Sequence, residues 1–299
     1  MITSGSGPVG CARTSARSLQ SRRLAHAFLL ISSAVSLFGT VAYASTGPSG
    51  NPCRGAGSLL AILNRPTVAD SSCVAPPGRV VLEAGYQTVD QRGPEGSGFN
   101  FPELELSFGL PDRNELILLP PNYLDQFSGG PAPSRVVGYG PTSIGFRREI
   151  VSTSLWQLAA EEIVTLPSGD PNYGSDGWGS ATNAIVSLGI GPHWGIAFMG
   201  GVTSEVAPAN SGGRRFTSFN PDWVVTYAWD NRYQLYGEIY GQSKIGPRLG
   251  NGFDADGGFQ YLITPHIEVD AELGQRISGR LGGFDNYVGV GFGLEFPYG

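Results

Sequence analysis

Ile267-Glu268-Val269-Asp270-Ala271-Glu272-Leu273 decides the fold. In a strand, successive side chains point to opposite faces, so Ile, Val, Ala and Leu share one face and three carboxylates share the other. A soluble sandwich would turn the apolar face inward onto a second sheet. A membrane barrel turns it outward to lipid and lines a wet interior with the acids.

Working outward, segments of the same kind fill nearly all of the chain after residue 78. They are expected at Val80–Thr88, Phe101–Leu110, Glu115–Pro120, Ser143–Ile150, Trp156–Leu166, Ala181–Ile190, Gly195–Thr203, Phe216–Trp229, Tyr233–Gln242, Phe253–Ile263, the quoted stretch, and Asn286–Phe296. The third alternates poorly, and Glu161-Glu162 interrupts the fifth. Turns after the even-numbered segments, such as Pro111-Asp112-Arg113-Asn114 and Thr264-Pro265-His266, are short. Connections after the odd-numbered ones are longer and rich in Gly, Pro, Ser and Asn. Short turns at one end and long loops at the other mark outer-membrane barrels, whereas Greek-key sandwiches have no reason to alternate so regularly. Tyr86, Trp156, Trp178, Trp194, Trp223, Tyr227, Trp229 and Tyr287 fall toward segment ends, where barrels place rings at the lipid–water interface.

The N-terminus reads as a cleaved secretory signal. Arg13, Arg17, Arg22 and Arg23 lead into an apolar core from Ala27 to Phe38, and Ala42-Tyr43-Ala44 supplies the small residues of a cleavage site. The core is too short and too Ser-interrupted for a membrane-spanning helix. Without the four arginines of residues 1–44, 15 basic groups face 25 acidic ones, which excludes nucleic acid as a partner. Glycine, at 45 of 299 residues, is about twice its usual ~7% share, and much of it lies inside the alternating segments, where it suits a curved, closed sheet. Cys11 leaves with the leader. Cys53 and Cys73 then read as one disulfide in an exported protein.

These features divide the chain into a signal peptide (1–44), an N-terminal periplasmic or plug-like segment (45–78) and a barrel (79–299). The plug-like segment carries Leu59-Leu60-Ala61-Ile62-Leu63, a helical turn or two ended by Asn64-Arg65-Pro66. It is too short to form a core alone and needs a surface to bury against, which the periplasmic mouth of the barrel would offer.

The chain also resembles a known family. Asn64-Arg65-Pro66-Thr67-Val68-Ala69-Asp70 through Cys73 to Val80–Tyr86, Phe101-Pro102-Glu103-Leu104 through Gly109–Leu116, Thr165–Gly169, Gln234–Glu238 and Asp256-Gly257-Gly258 to Asp270 carry the likeness. In that order they resemble the outer-membrane family named for a MetA pathway of phenol degradation. The resemblance implies an outer-membrane barrel and a transporter, with hydrophobic or aromatic solutes suggested by the family label.

Chemistry has little to work with. His193 and His266 both sit in short turns, at the wrong end for the Ser–His pair of a lipid-modifying barrel enzyme. No spacing suggests a metal or cofactor site. The carboxylates are more informative. Glu83, Glu103, Glu105, Glu238, Asp254, Asp256, Glu268, Asp270 and Glu272 fall on faces assigned to the lumen, with Arg147 and Arg276 opposing them. They could select solutes by charge or fill a narrow barrel as a lattice of paired ions.

The expectation is an all-β, closed antiparallel transmembrane barrel of about twelve strands in a bacterial outer membrane. It would be a non-enzymatic, porin-like channel for small solutes. Its partners would be membrane lipid, the solute, and the barrel assembly machinery that reads a C-terminal strand ending in Phe296. A structural or adhesive barrel is the alternative, and a lipid-modifying barrel enzyme the third reading.

Overall fold

A computed structural model describes residues 51–298 apart from 56, 92–95 and 129–132; the expected leader lies outside the described residues. Among the described residues, fifteen strands form one sheet: β1 (Arg79–Gln91), β2 (Gly96–Phe101), β3 (Glu105–Leu110), β4 (Asn114–Leu119), β5 (Tyr123–Ser128), β6 (Ser134–Tyr139), β7 (Ser143–Ser152), β8 (Trp156–Thr165), β9 (Gly179–Ile190), β10 (Trp194–Val206), β11 (Arg215–Trp229), β12 (Tyr233–Gln242), β13 (Gly252–Thr264), β14 (Ile267–Ser278) and β15 (Asn286–Pro297). Neighbours pair antiparallel, and β15 returns to β1 from Arg79↔Pro297 to Asp90↔Asn286. That last pairing closes the sheet and leaves no edge along the seam.

Three pairs of strands are halves of one crossing. β1 pairs with β3 through Val80–Glu83 and with β2 through Gln87–Gln91, so β2 and β3 run one after the other down the same neighbour. β4 and β5, and β6 and β7, are split likewise. Counted as crossings, the barrel has twelve strands. Much of what reads as loop in the sequence, at 96–100, 123–128 and 134–139, is therefore strand. Segments two, three and four extend further than their alternation reveals, because each is interrupted at its middle.

Side-chain alternation sorts the two faces. Along β14, Glu268, Asp270, Glu272 and Gly274 are buried while Ile267, Val269, Ala271 and Leu273 are exposed. The same outward apolar face continues through Trp223, Val225, Leu235, Ile239 and Val290. An apolar belt around a closed barrel with a charged interior is a surface solvated by hydrocarbon. No helix of the described residues is long and apolar enough to cross a membrane. Tyr287 departs from the expected interfacial belt: it is buried and points inward.

The segment before β1 lies inside the barrel. Its helix α1 (Ser58–Ile62) covers the expected apolar run, and Cys53 is bonded to Cys73. Leu59, Leu60, Ile62 and Leu63 pack with both cysteines and Ala75 against Val81 and Leu262, at the short-turn end of β1 and β13. Glycines on the inner face of the seam make room for it. A Cβ at Gly293 would stand 2.5 Å from Leu63 Cδ2, and one at Gly85 2.4 Å from Arg65 Cζ.

Candidate functional site

The lumen is built around an irregular backbone that cannot satisfy its own hydrogen bonds. Buried amides need acceptors, and here inward carboxylates supply them. Glu83 accepts the Asn64 and Arg65 amides at 3.1 and 2.6 Å. Glu238 accepts those of Val68 and Ala69 at 2.9 and 2.7 Å. Glu115 accepts the Ala75 amide at 2.5 Å. Gln260 donates to the Arg65 carbonyl at 2.8 Å and Tyr236 to the Pro66 carbonyl at 3.2 Å. Residues 64–75 are thereby strung across the lumen between opposite walls.

Two arginines organise the remaining acids. Arg147, almost wholly buried, reaches Glu161 at 2.6 Å, Glu115 at 3.2 Å and Asp70 at 3.4 Å, and donates to the Asn64 amide oxygen at 3.1 Å. Burial, with Glu161 alongside, pushes the Asp70 carboxyl well above the usual carboxylate range against the pull of Arg147. Arg65 reaches Glu103 at 2.5 Å, Asp270 at 3.3 Å and Glu272 at 3.6 Å. Glu105 accepts from the Asn64 side-chain amide at 2.5 Å.

The other carboxylates singled out in the sequence also face inward. Asp254 stands opposite Arg276 in the β13–β14 register, while Arg276 bonds Asp285 at 2.6 Å. Asp256 accepts the Tyr287 hydroxyl. Glu268 is fully buried between Leu262 and Gly293 in register. The structure thus gathers Glu103, Asp270 and Glu272 at one arginine and Glu105 near the other, with Asp254 and Asp256 forming a separate group. His193 Nδ1 lies 2.9 Å from the Ala228 carbonyl, and His266 lies 3.8 Å from Glu295, both at short turns.

Sequence reading missed Arg65, Glu115 and Glu161 as site residues. Glu115 sits in the strand whose alternation is poor, and Glu161 in the pair that interrupts its segment. Arg65 could have been found by charge: it is a cation in an apolar segment, next to a lumen with an excess of acid.

Beside this network the wall is incomplete. Pro102, Pro120-Pro121 and Pro141 interrupt three adjacent crossings at one height. Proline has no N–H to donate, so the ladder stops there. β3–β4 pairing ends at Leu106↔Leu118 and β2–β5 pairing resumes at Phe101↔Tyr123. β4–β7 pairing ends at Leu119↔Ser143 and β5–β6 pairing resumes at Tyr123↔Tyr139, with one backbone bond between, Gly140 N–H to the Asn122 carbonyl at 2.8 Å. A cavity of about 430 Å³ occupies the interruption. Arg65, Glu103 and Glu105 line its lumen side, and Leu104, Pro120 and Pro141 lie in the wall itself. On the outer surface just beyond it, Tyr86, Phe99, Tyr123 and Tyr139 form a row of ring contacts 5.5–6.0 Å apart.

Comparison with known proteins agrees with this architecture. A crystal structure of the COG4313 outer membrane channel from Pseudomonas putida F1 superposes with a TM-score of 0.58 at 15% identity, over 75% of this chain and 98% of that one. The NanC porin covers 72% of this chain and 98% of its own at 13% identity (TM-score 0.47). The CymD monoaromatic hydrocarbon channel covers 84% and 95% at 9% identity (TM-score 0.37). No curated protein sequence matches. The family model described as "Putative MetA-pathway of phenol degradation" matches residues 63–290, and the chain belongs to that family.

Proposed function

We propose that the protein is a plugged channel of a bacterial outer membrane, exported by the leader within residues 1–44, that passes small solutes. The observation that carries this reading is the wall cavity. The N-terminal segment fills the lumen from the short-turn end, while the barrel wall beside it is interrupted across three crossings, with single backbone bonds left at Gly140–Asn122 and Gly85–Pro102, at a cavity of about 430 Å³. A barrel serving only as a scaffold has no need to leave its ladder unpaired. Solutes entering from the long-loop end would meet the plug at Arg65 and could leave sideways between the prolines toward the membrane. The leucines, prolines and outer tyrosine row there suit hydrophobic or aromatic solutes, in keeping with the family name. The channel name of the Pseudomonas putida structure supports passage but does not identify the solute.

The test is conductance and solute flux across bilayers holding purified protein, with and without residues 45–75. Deletion of the plug is expected to raise ionic conductance while the barrel keeps its heat-resistant gel mobility. A barrel that passes neither ions nor small aromatic solutes in either form would instead be structural.

A further inference from the structure

The plug touches the wall cavity through one side chain, that of Arg65, and the wall answers with Glu103. Both are held in place independently of each other. Arg65 has its amide on Glu83 and its carbonyl on Gln260, and its guanidinium also reaches Asp270 and Glu272. The seam is hollowed for it: a Cβ at Gly291 would stand 2.4 Å from Arg65 Nε. Glu103 sits where β2 and β3 are interrupted. From Gln87 to Glu83, β1 advances four residues while its partner advances five, from Asn100 to Glu105. The extra residue is a bulge, and bulges re-aim side chains. Glu103 takes φ 48°, and its second oxygen accepts from Asn100 at 2.9 Å.

We infer that Arg65 and Glu103 form the selectivity-determining pair of the ion path along the lumen, at the constriction between the N-terminal segment and the wall beside the cavity, where each offsets the other's charge toward permeating ions. This rests on the channel reading above. The reasoning is electrostatic. Charges at a constriction with low-dielectric walls act on permeating ions far more strongly than charges in bulk water. Glu103 is the one carboxylate of the Arg65 cluster that lines the cavity; Asp270 and Glu272 lie on the inner face of β14, away from it. Losing the Glu103 charge therefore shifts the balance at the cavity toward the Arg65 guanidinium, with Glu105, which accepts from the Asn64 side-chain amide, the carboxylate left in the lining.

Reversal potentials in a potassium chloride gradient test the pair, with Glu103→Gln as the first variant because Arg65 keeps its other anchors. The cation-to-anion permeability ratio is expected to fall by about threefold or more, since one charge at a narrow threshold is removed. Arg65→Gln should raise the ratio. The exchanged double variant, Arg65→Glu with Glu103→Arg, should return it toward the parent value. Limited proteolysis of residues 51–78 reports whether the plug remains seated in each variant. An unchanged ratio in Glu103→Gln with the plug seated overturns the inference and leaves the channel reading intact. Absence of conductance from every form, including the plug deletion, overturns the channel reading and this inference with it.

Discussion

The wall of this barrel has two halves built to different rules. From β8 to β15, strands of ten to fifteen residues run without interruption, with register shifts confined to the β13–β14 pairing. From β2 to β7 the crossings are split, and each split carries a proline. Both halves enclose the same lumen and the same N-terminal segment, and both use inward carboxylates. The difference shows that a barrel can be opened locally without losing closure, provided the seam and the long strands opposite hold the ring together.

The largest expected effect sharpens that contrast by placing the same charge in both halves. Val269 lies on the outward face of uninterrupted β14, with Asp270 beside it facing inward. Val269→Arg should cost about 2–4 kcal/mol if it sits near mid-membrane and should impair assembly. Leu104→Arg, in the interruption, should cost about 0–1 kcal/mol, because its guanidinium can reach the polar cavity. Urea titration followed by heat-resistant gel mobility reads both. Equal costs would mean that the gap is sealed by lipid like the rest of the wall. Asp270→Arg is a control for orientation: it should assemble but disturb the plug, since it sets a second cation beside Arg65.

A smaller effect separates the inner face of the regular half from its outer face. Gly291 on β15 faces Arg65, and a larger side chain there must push the plug aside. Gly291→Val should weaken plug docking by about 1–3 kcal/mol through overpacking, seen as faster protease cleavage within residues 51–78 of an intact barrel. Gly237 on β12 has nothing within 4 Å of its missing Cβ, so Gly237→Ala should stay within about 0.5 kcal/mol of the parent. If Gly291→Val leaves the plug protected, the seam glycines serve curvature, as their sequence context first suggests, rather than accommodation of the plug.

The regular half was legible in the sequence. Strands β9 to β15 alternate cleanly because one face meets lipid and the other a charged lumen, and a period of two survives any reading of the turns. The broken half was not legible. Pro120-Pro121 reads as the end of a strand, and Tyr123–Ser128 beyond it reads as loop, because a local pattern cannot tell a terminus from an interruption. Alternation alone grouped many of the inward carboxylates, but not Glu115 and Glu161, whose segments alternate poorly. Their partners were not legible. What Glu83, Glu115 and Glu238 bind is the backbone of residues 64–75, and backbone amides leave no trace in residue identity. Gly291 and Gly293 likewise made sense as curvature until Arg65 and Leu63 were found against them, while Gly289 makes room for the Glu272 side chain.

The smallest effect concerns the cause of the gap. Between Leu119↔Ser143 and Tyr123↔Tyr139, three residues on each crossing remain outside the ladder. Between Leu106↔Leu118 and Phe101↔Tyr123 there are four on each. The counts match on both sides of residues 120–122, so no register slip prevents pairing there. Adjacent residues in a strand direct their amides to opposite neighbours. Pro120 and Pro121 therefore withhold one donor from each side. Replacing both by Ala should let the ladder close, each new bond contributing about 0.5–1.5 kcal/mol. The same change frees the unfolded chain and costs about 0.4–1 kcal/mol per proline, so net stability should move by less than about 1 kcal/mol. Amide exchange is the better readout: residues 120–122 should become protected, and flux of small aromatic solutes should fall while ionic conductance of the plug-deleted barrel persists. Unprotected amides after substitution would show that the gap is held open by its surroundings, where Asp170 already takes the Tyr139 amide and Ser168 the Thr142 amide, rather than by missing donors.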